Sequence, residues 1–328
     1  MDIPEILDIT AVEESLKEAV LLDRFGGLPS GGYLVLNHDR DPRPLYFRLV
    51  EHSGRNFSWK PLESGPEVWQ VKVGKREMTD REESIGQMVT IDPRKADVFK
   101  TLGIDFSCGG ARSLAEACEE QQLEMSLVLS RLNGELPRTA YPAMDFLHWD
   151  TGFFCKYLIN LHHGYVRANL PFLLETSEKI ARSYGARYPE LHEVQSLVKQ
   201  VAEGLTANME QEEELLFPYL TDLAYALKSG TRLAAPAQGT LKPLIYLMEA
   251  AHERIYEAFS RIRKLSNSYR APDYVTHGFR ILYKILQEFE DDLQMHLHLE
   301  NNILFPAALR NENELRNRQL QIEPAIKS

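Results

Sequence analysis

One seven-residue phrase occurs twice in this chain, and its repetition constrains the fold more than any other feature. Glu212 opens EEELLFP and Glu300 opens ENNILFP, both of the form E-x-x-[LI]-L-F-P and 88 residues apart. A second repeat runs in step with it. His163 in LHHGYVRA and His252 in AAHERIYEA are 89 residues apart. Two helical hairpins of one design therefore follow one another, each with a His on its first helix and a Glu near the end of its second, and two such hairpins make a four-helix bundle. Helical periodicity predicts the four helices at roughly 150–184, 190–224, 242–266 and 273–304, with Pro189, Pro243 and Pro272 near their first turns.

His296 precedes Glu300 by four residues, which sets both side chains on one helix face a turn apart. The bundle then converges His163, Glu212, His252, His296 and Glu300. Burying imidazoles and carboxylates without partners is costly, and a cation that takes nitrogen and oxygen ligands removes that cost. Each His taken singly is better read as a core or surface residue; the matched pairs shift the weight to a metal site. The first hairpin lacks one member, because Asn208 occupies the position equivalent to His296. An amide oxygen is a weak iron ligand. One iron is therefore expected between His252 and His296 with the carboxylates, and a weak, exchangeable or absent one beside His163 and Asn208. On ideal helical geometry His162 and His298 fall off the ligand face, and Glu210, Glu213 and Glu214 form a solvated face.

The rest of the chain reads differently. Up to about Arg76, short alternating runs (YLVLN, NFSWK, EVWQVKV) between turn residues predict a small α+β unit, with a helix from Val12 to Phe25 and a second beginning near Pro42 and Pro44. A charged linker, KREMTDREE, follows. Residues 83–138 predict short helices, including a capping box from Ser113 to Glu116, around a TLGIDFSCGGARSL loop. Cys108 in that loop is a candidate functional thiol, since a helix start after it would lower its pKa. Cys118 and Cys155 fall at apolar helical positions and are expected in cores.

With 328 residues, the chain is longer than one core usually supports. Its net charge is −11, and no block of Lys and Arg interleaved with aromatics appears, so neither nucleic acid nor an anionic membrane is an expected partner. MDIPEILDIT lacks the apolar stretch of a secretory signal and no long apolar run follows, which suits a cytoplasmic protein. Three cysteines point to a reducing compartment.

His163 with Arg167 and the following LP, E-x-x-LLFP from Glu212, AAHERI at His252 and HLHLENNILFP from His296 together resemble the Repair of Iron Centres family of di-iron proteins. DPRKADVFKTLGIDFSCGGARSLAEAC resembles the small cysteine-bearing helical domain that precedes the bundle there. The first 76 residues look like a TusA-type domain, without the Cys-Pro pair of its sulfur-carrier relatives. The fold class expected is multidomain, α+β and all-α: a TusA-like α/β sandwich over residues 1–76, a short helical domain over 83–138 and a hemerythrin-like four-helix bundle over 145–310. Carried over by residue, the resemblance makes His163, His252 and His296 terminal ligands of non-haem di-iron and Glu212 and Glu300 bridging carboxylates. It implies repair of iron-sulfur clusters damaged by nitric oxide or peroxide, with damaged iron-sulfur proteins or cluster-assembly proteins as partners, diatomic ligands such as nitric oxide and oxygen, and homodimerisation as a candidate assembly. Nitric oxide reduction at the iron is a candidate activity. An alternative is an oxygen or nitric oxide sensor without catalysis. Two departures stand out: Ser107-Cys108 replaces the family's adjacent cysteines, and Asn208 replaces a His.

Overall fold

The computed structural model describes residues 5–29, 32–53, 57–65, 68–75, 84–133, 146–236 and 239–326. The chain divides into two compact units, one of Met1–Ile85 with Ala111–Met125 and one of Gly86–Gly110 with Ser126–Ser328.

In the first unit β1 (Glu5–Asp8), α1 (Glu14–Gly27), β2 (Tyr33–His38), α2 (Arg43–Ser53), β3 (Phe57–Ser64) and β4 (Trp69–Lys75) build one four-stranded sheet in the order β1-β2-β4-β3. The β1–β2 pair is parallel and the others antiparallel. Every second residue of β2 and β4 faces inward, so Leu34, Leu36, Val71 and Val73 meet Leu21 and Phe25 of α1 and Leu45 and Leu49 of α2. Each such side chain, fully buried, contributes about 1.5–3 kcal/mol. This is the expected small α/β sandwich. β1 is the strand the sequence did not announce, because four residues are too few to display an alternating pattern. β3 lies at an edge, where Pro61 and a register shift between Pro61 and Glu63 are tolerated. The KREMTDREE linker lies, beyond Lys75, outside the described residues. Further along in this unit, α5 (Leu114–Glu120) carries the capping box: Glu116 N donates to Ser113 Oγ at 3.2 Å and Ser113 N to Glu116 Oε2 at 2.8 Å.

The second unit is helical. α3 (Ile85–Ile91) and α4 (Lys95–Leu102) lead to the GIDFSCGG loop, and α6 (Met125–Leu132) comes later in the chain. The four bundle helices then follow, the first three close to the expected spans and the fourth running on to Ile326, 22 residues past its expected end at 304; three of them contain a π-helical turn. The first runs through α7 (Thr151–Leu158), a π turn at Ile159–His163 and α8 (Gly164–Tyr184). The second runs through α9 (Glu190–Gln211), a π turn at Glu212–Leu216 and α10 (Phe217–Ser229). The third is α11 (Lys242–Leu265), and the fourth runs through α12 (His277–Leu299), a π turn at Glu300–Leu304 and α13 (Phe305–Ile326). Proline has no N–H and its ring crowds the carbonyl four residues back. Pro218 and Pro306 fall just after two of the π turns, where the widened helix leaves the regular ladder. The repeated L-F-P thus accompanies two of the three π turns, while Ile159–His163 forms without it. Leu173, Val194, Val198, Leu205, Phe259, Phe289 and Leu293 are among the side chains filling the bundle core.

Candidate metal centre

All three π turns among the described residues open on or close at a candidate ligand. His163 closes the first; Glu212 and Glu300 each open one. Such turns commonly mark functional sites, because the extra residue re-aims side chains that a straight helix would misplace. His163, Glu212, His252 and Glu300 are fully buried and His296 is 1% exposed.

One ligand atom from each of His163, Glu212, His296 and Glu300 lies within 4.8 Å of all the others. His163 Nε2 is 3.4 Å from Glu212 Oε2 and 3.9 Å from Glu300 Oε1, and His296 Nε2 is 3.1 Å from Glu300 Oε1. The other two carboxylate oxygens face His252, whose Nε2 is 3.3 Å from Glu212 Oε1 and 3.4 Å from Glu300 Oε2. Both carboxylates therefore span two compartments. His163, Glu212 Oε2 and Glu300 Oε2 present atoms that find no hydrogen-bond partner among the described residues. Buried groups of that kind fit a cation.

The pairing differs from the expected one. His163 shares its compartment with His296, their rings 5.0 Å apart, while His252 shares its own with Asn208. α8 packs on both α9 and α12, and α9 on α11, so His163 and His296 stand on neighbouring helices, as do His252 and Asn208. Asn208 Nδ2 donates to Glu212 Oε1 at 2.7 Å and lies 3.1 Å from His252 Nε2.

Electrostatics follow from the crowding. Burial pulls the pKa of His163 down, but Glu212 and Glu300 beside it prevail and raise it to about 10. The same carboxylates lift His252 to about 9 against its burial. Burial pushes Glu300 up, while His296, His163 and His252 hold it below the ordinary carboxylate range.

Each hairpin supports its own histidine in the same way. Phe217 stacks on His163 at 5.6 Å and Phe305 on His252 at 5.9 Å, which explains the phenylalanine of the repeated phrase. Glu213, expected on a solvated face, instead accepts from His163 Nδ1 at 2.6 Å and from Arg167 at 2.6 Å. Ideal helical phase turns position 213 about 100° away from Glu212, but Glu213 lies within the π turn, where that phase does not hold. His162 is buried next to the cluster without joining it: its ring stacks on His296 at 5.3 Å and its Nδ1 meets Asp292 at 3.0 Å. His298 points away, as expected, toward Phe106 O and Thr90 Oγ1.

Cys108 does not stand at a helix start. Asp105 occupies the loop instead, its Oδ1 accepting from Ser107 N and Cys108 N and its Oδ2 from Gly109 N. Burial, with the Asp105 carboxylate nearby, pushes the thiol well up rather than down. Cys118 and Cys155 are buried, as expected.

Three family models match the chain. One is described as an uncharacterized conserved protein, DUF2249, over residues 6–75, and one as a domain of unknown function, DUF542, over residues 81–135. The third is the hemerythrin HHE cation binding domain over residues 244–323. The iron-sulfur cluster repair protein YtfE of Dickeya chrysanthemi is 31% identical over 232 residues, covering 71% of this chain and 99% of that relative. Its namesakes in Yersinia pestis and Yersinia pseudotuberculosis are 28% identical over 235 residues, covering 72% of this chain and 100% of each relative. No described helix is long and apolar enough to cross a membrane.

Proposed function

The chain belongs to the iron-sulfur cluster repair protein family, and we propose that it holds non-haem iron in its buried His and Glu cluster and uses it to repair iron-sulfur clusters damaged by nitrosative or oxidative stress. The observation that carries this reading is the convergence of His163, Glu212, His296 and Glu300 within 4.8 Å, from three π turns and one helix, in a fully enclosed place. His163 and His296 would hold one iron together with the Glu212 and Glu300 carboxylates, whose other oxygens face His252, which would serve a second position. Iron bound there supplies an exchangeable, redox-active cation that can be handed to a damaged cluster or meet nitric oxide.

The chain's own residues hold and shield that cation. Glu213, anchored by Arg167, fixes the His163 ring; supports of this kind raise ligand basicity and set the tautomer. Phe217 and Phe305 close the two imidazoles off from water. Asn208 stands where a fourth imidazole would complete the second position, and its amide already donates to Glu212. A second iron would accordingly be held weakly there, since an amide is a poor iron ligand.

Anaerobic purification followed by iron analysis tests this reading. At least one iron per chain is expected, lost in His163→Ala and in Glu300→Ala. Less than one iron per chain, unchanged by either substitution, sinks it. Restoration of a damaged iron-sulfur dehydratase is the matching functional assay; nitric oxide binding without restoration would instead establish a gas sensor.

A further inference from the structure

Resting on that metal reading, we propose that Asn301 is a positioning residue: it holds the Nε2 lone pair of His252 toward the bridging carboxylates, and it is itself held in that orientation by the sulfur of Cys108.

The duplication makes the case. Asn301 follows Glu300 as Glu213 follows Glu212, so the two are equivalent positions of the repeat. Each meets the outer nitrogen of its own hairpin's histidine: Glu213 Oε1 lies 2.6 Å from His163 Nδ1, and Asn301 Oδ1 lies 2.8 Å from His252 Nδ1. The chemistry of the two supports differs. A carboxylate offers oxygen at both ends and accepts from the imidazole whichever way it turns. An amide offers an oxygen at one end and N–H bonds at the other, so it supports the ring in one orientation only.

Cys108 supplies the missing direction. Asn301 Nδ2 donates to Cys108 Sγ at 3.8 Å, and with its nitrogen engaged there its oxygen must face His252. His252 then keeps its proton on Nδ1. When the ring is neutral its lone pair is on Nε2, 3.3 and 3.4 Å from the Glu212 and Glu300 oxygens, where a cation would be held. With the amide reversed, N–H bonds would confront Nδ1, the ring proton would move to Nε2, and the ligand position would be blocked. Asn301 is 2% exposed, so no solvent donor or acceptor competes for either end. One hydrogen-bonded chain thus runs from the loop cysteine through Asn301 to the histidine of the weaker compartment. Its counterpart in the first hairpin ends instead on Arg167, a fixed charge.

The test uses the full chain in two measurements. Long-range 1H–15N spectra of the metal-free protein, taken above the pH at which His252 becomes neutral, report its tautomer; His252→Gln identifies the signal. Co(II) titration, followed by the ligand-field spectrum, reports binding. Wild type should carry its proton on Nδ1. Asn301→Leu should shift the tautomer toward Nε2–H and weaken Co(II) binding on the His252 side at least about 10-fold, the scale of lost outer supports. Asn301→Asp should keep both. Cys108→Ala should weaken binding, and the double variant Cys108→Ala with Asn301→Asp should recover it, because a carboxylate needs no anchor. Unchanged tautomer and binding in Asn301→Leu overturns the positioning role. A Cys108→Ala protein indistinguishable from wild type overturns the tie to sulfur. Should Asn301→Leu not fold, the rescue of Cys108→Ala by Asn301→Asp decides. Absence of Co(II) uptake by wild type would count against the metal reading alone, since the tautomer is read without metal.

Discussion

At the scale of single residues the centre is asymmetric, and the asymmetry resides in Asn208. Its amide donates to Glu212 at the place where a fourth imidazole would coordinate. Asn208→His is therefore expected to raise metal uptake by about one equivalent per chain, measured by elemental analysis after anaerobic loading. Protons report on the other compartment. With His163 lifted to about 10, the metal-free protein carries a proton there at neutral pH. Because a ligand must be deprotonated, metal binding at pH 8 should release that proton, and affinity should fall as pH drops; above about pH 10 the release should vanish. Calorimetry in buffers of different ionisation enthalpy measures it. Glu213→Gln, which removes the charge beside His163, should cost about 10- to 100-fold in metal affinity. Four of the five ligand candidates were legible in the sequence because they recur at a fixed interval, and His296 because it stands one helical turn before Glu300. Glu213 and Asn301 were not, although they recur too, since supports differ in chemistry between the copies and only the shared histidine, glutamate and phenylalanine repeat as letters.

At the scale of elements, the π turns decide which faces meet. Helical periodicity gave the four helices, yet one extra residue in a turn shifts phase locally and leaves little trace in a hydrophobic pattern. The trace it left is proline: Pro218 and Pro306 sit six residues beyond Glu212 and Glu300. The cysteine loop was harder to read, because what shapes it is Asp105 and a fit against α12 and its π turn. Asn302 Nδ2 donates to Ser107 O at 2.8 Å, and a Cβ placed on Gly110 would lie 2.5 Å from both Asn302 Oδ1 and Phe106 O. One of those atoms is backbone and cannot easily move. Gly110→Ala is accordingly expected to destabilise the second unit by about 1–3 kcal/mol, read from the urea midpoint, with loss of the protection of loop amides from hydrogen exchange.

At the scale of the whole molecule, acid sensitivity should centre on a histidine that binds no metal. His298 is 1% exposed among Phe106, Thr90 and Asn302, and burial depresses its pKa to about 4. The unfolded chain protonates near 6.5, so the folded state binds fewer protons between those values. Its contribution is complete above about pH 6.5, declines by up to about 1.4 kcal/mol per pH unit as pH falls toward 4, and levels off below. Denaturant midpoints of the metal-free protein from pH 7.5 to 4.5 should show that slope, and His298→Gln should reduce it, leaving the smaller share of His162 and His38, whose pKa values burial also lowers.

The Asn208 amide has one more consequence. A vessel that gives up a cation risks clenching or bursting once two carboxylates face each other across a void. Here one oxygen of Glu212 already meets an N–H bond that belongs to the chain. On that side a cation could leave and another take its place without the centre being rebuilt.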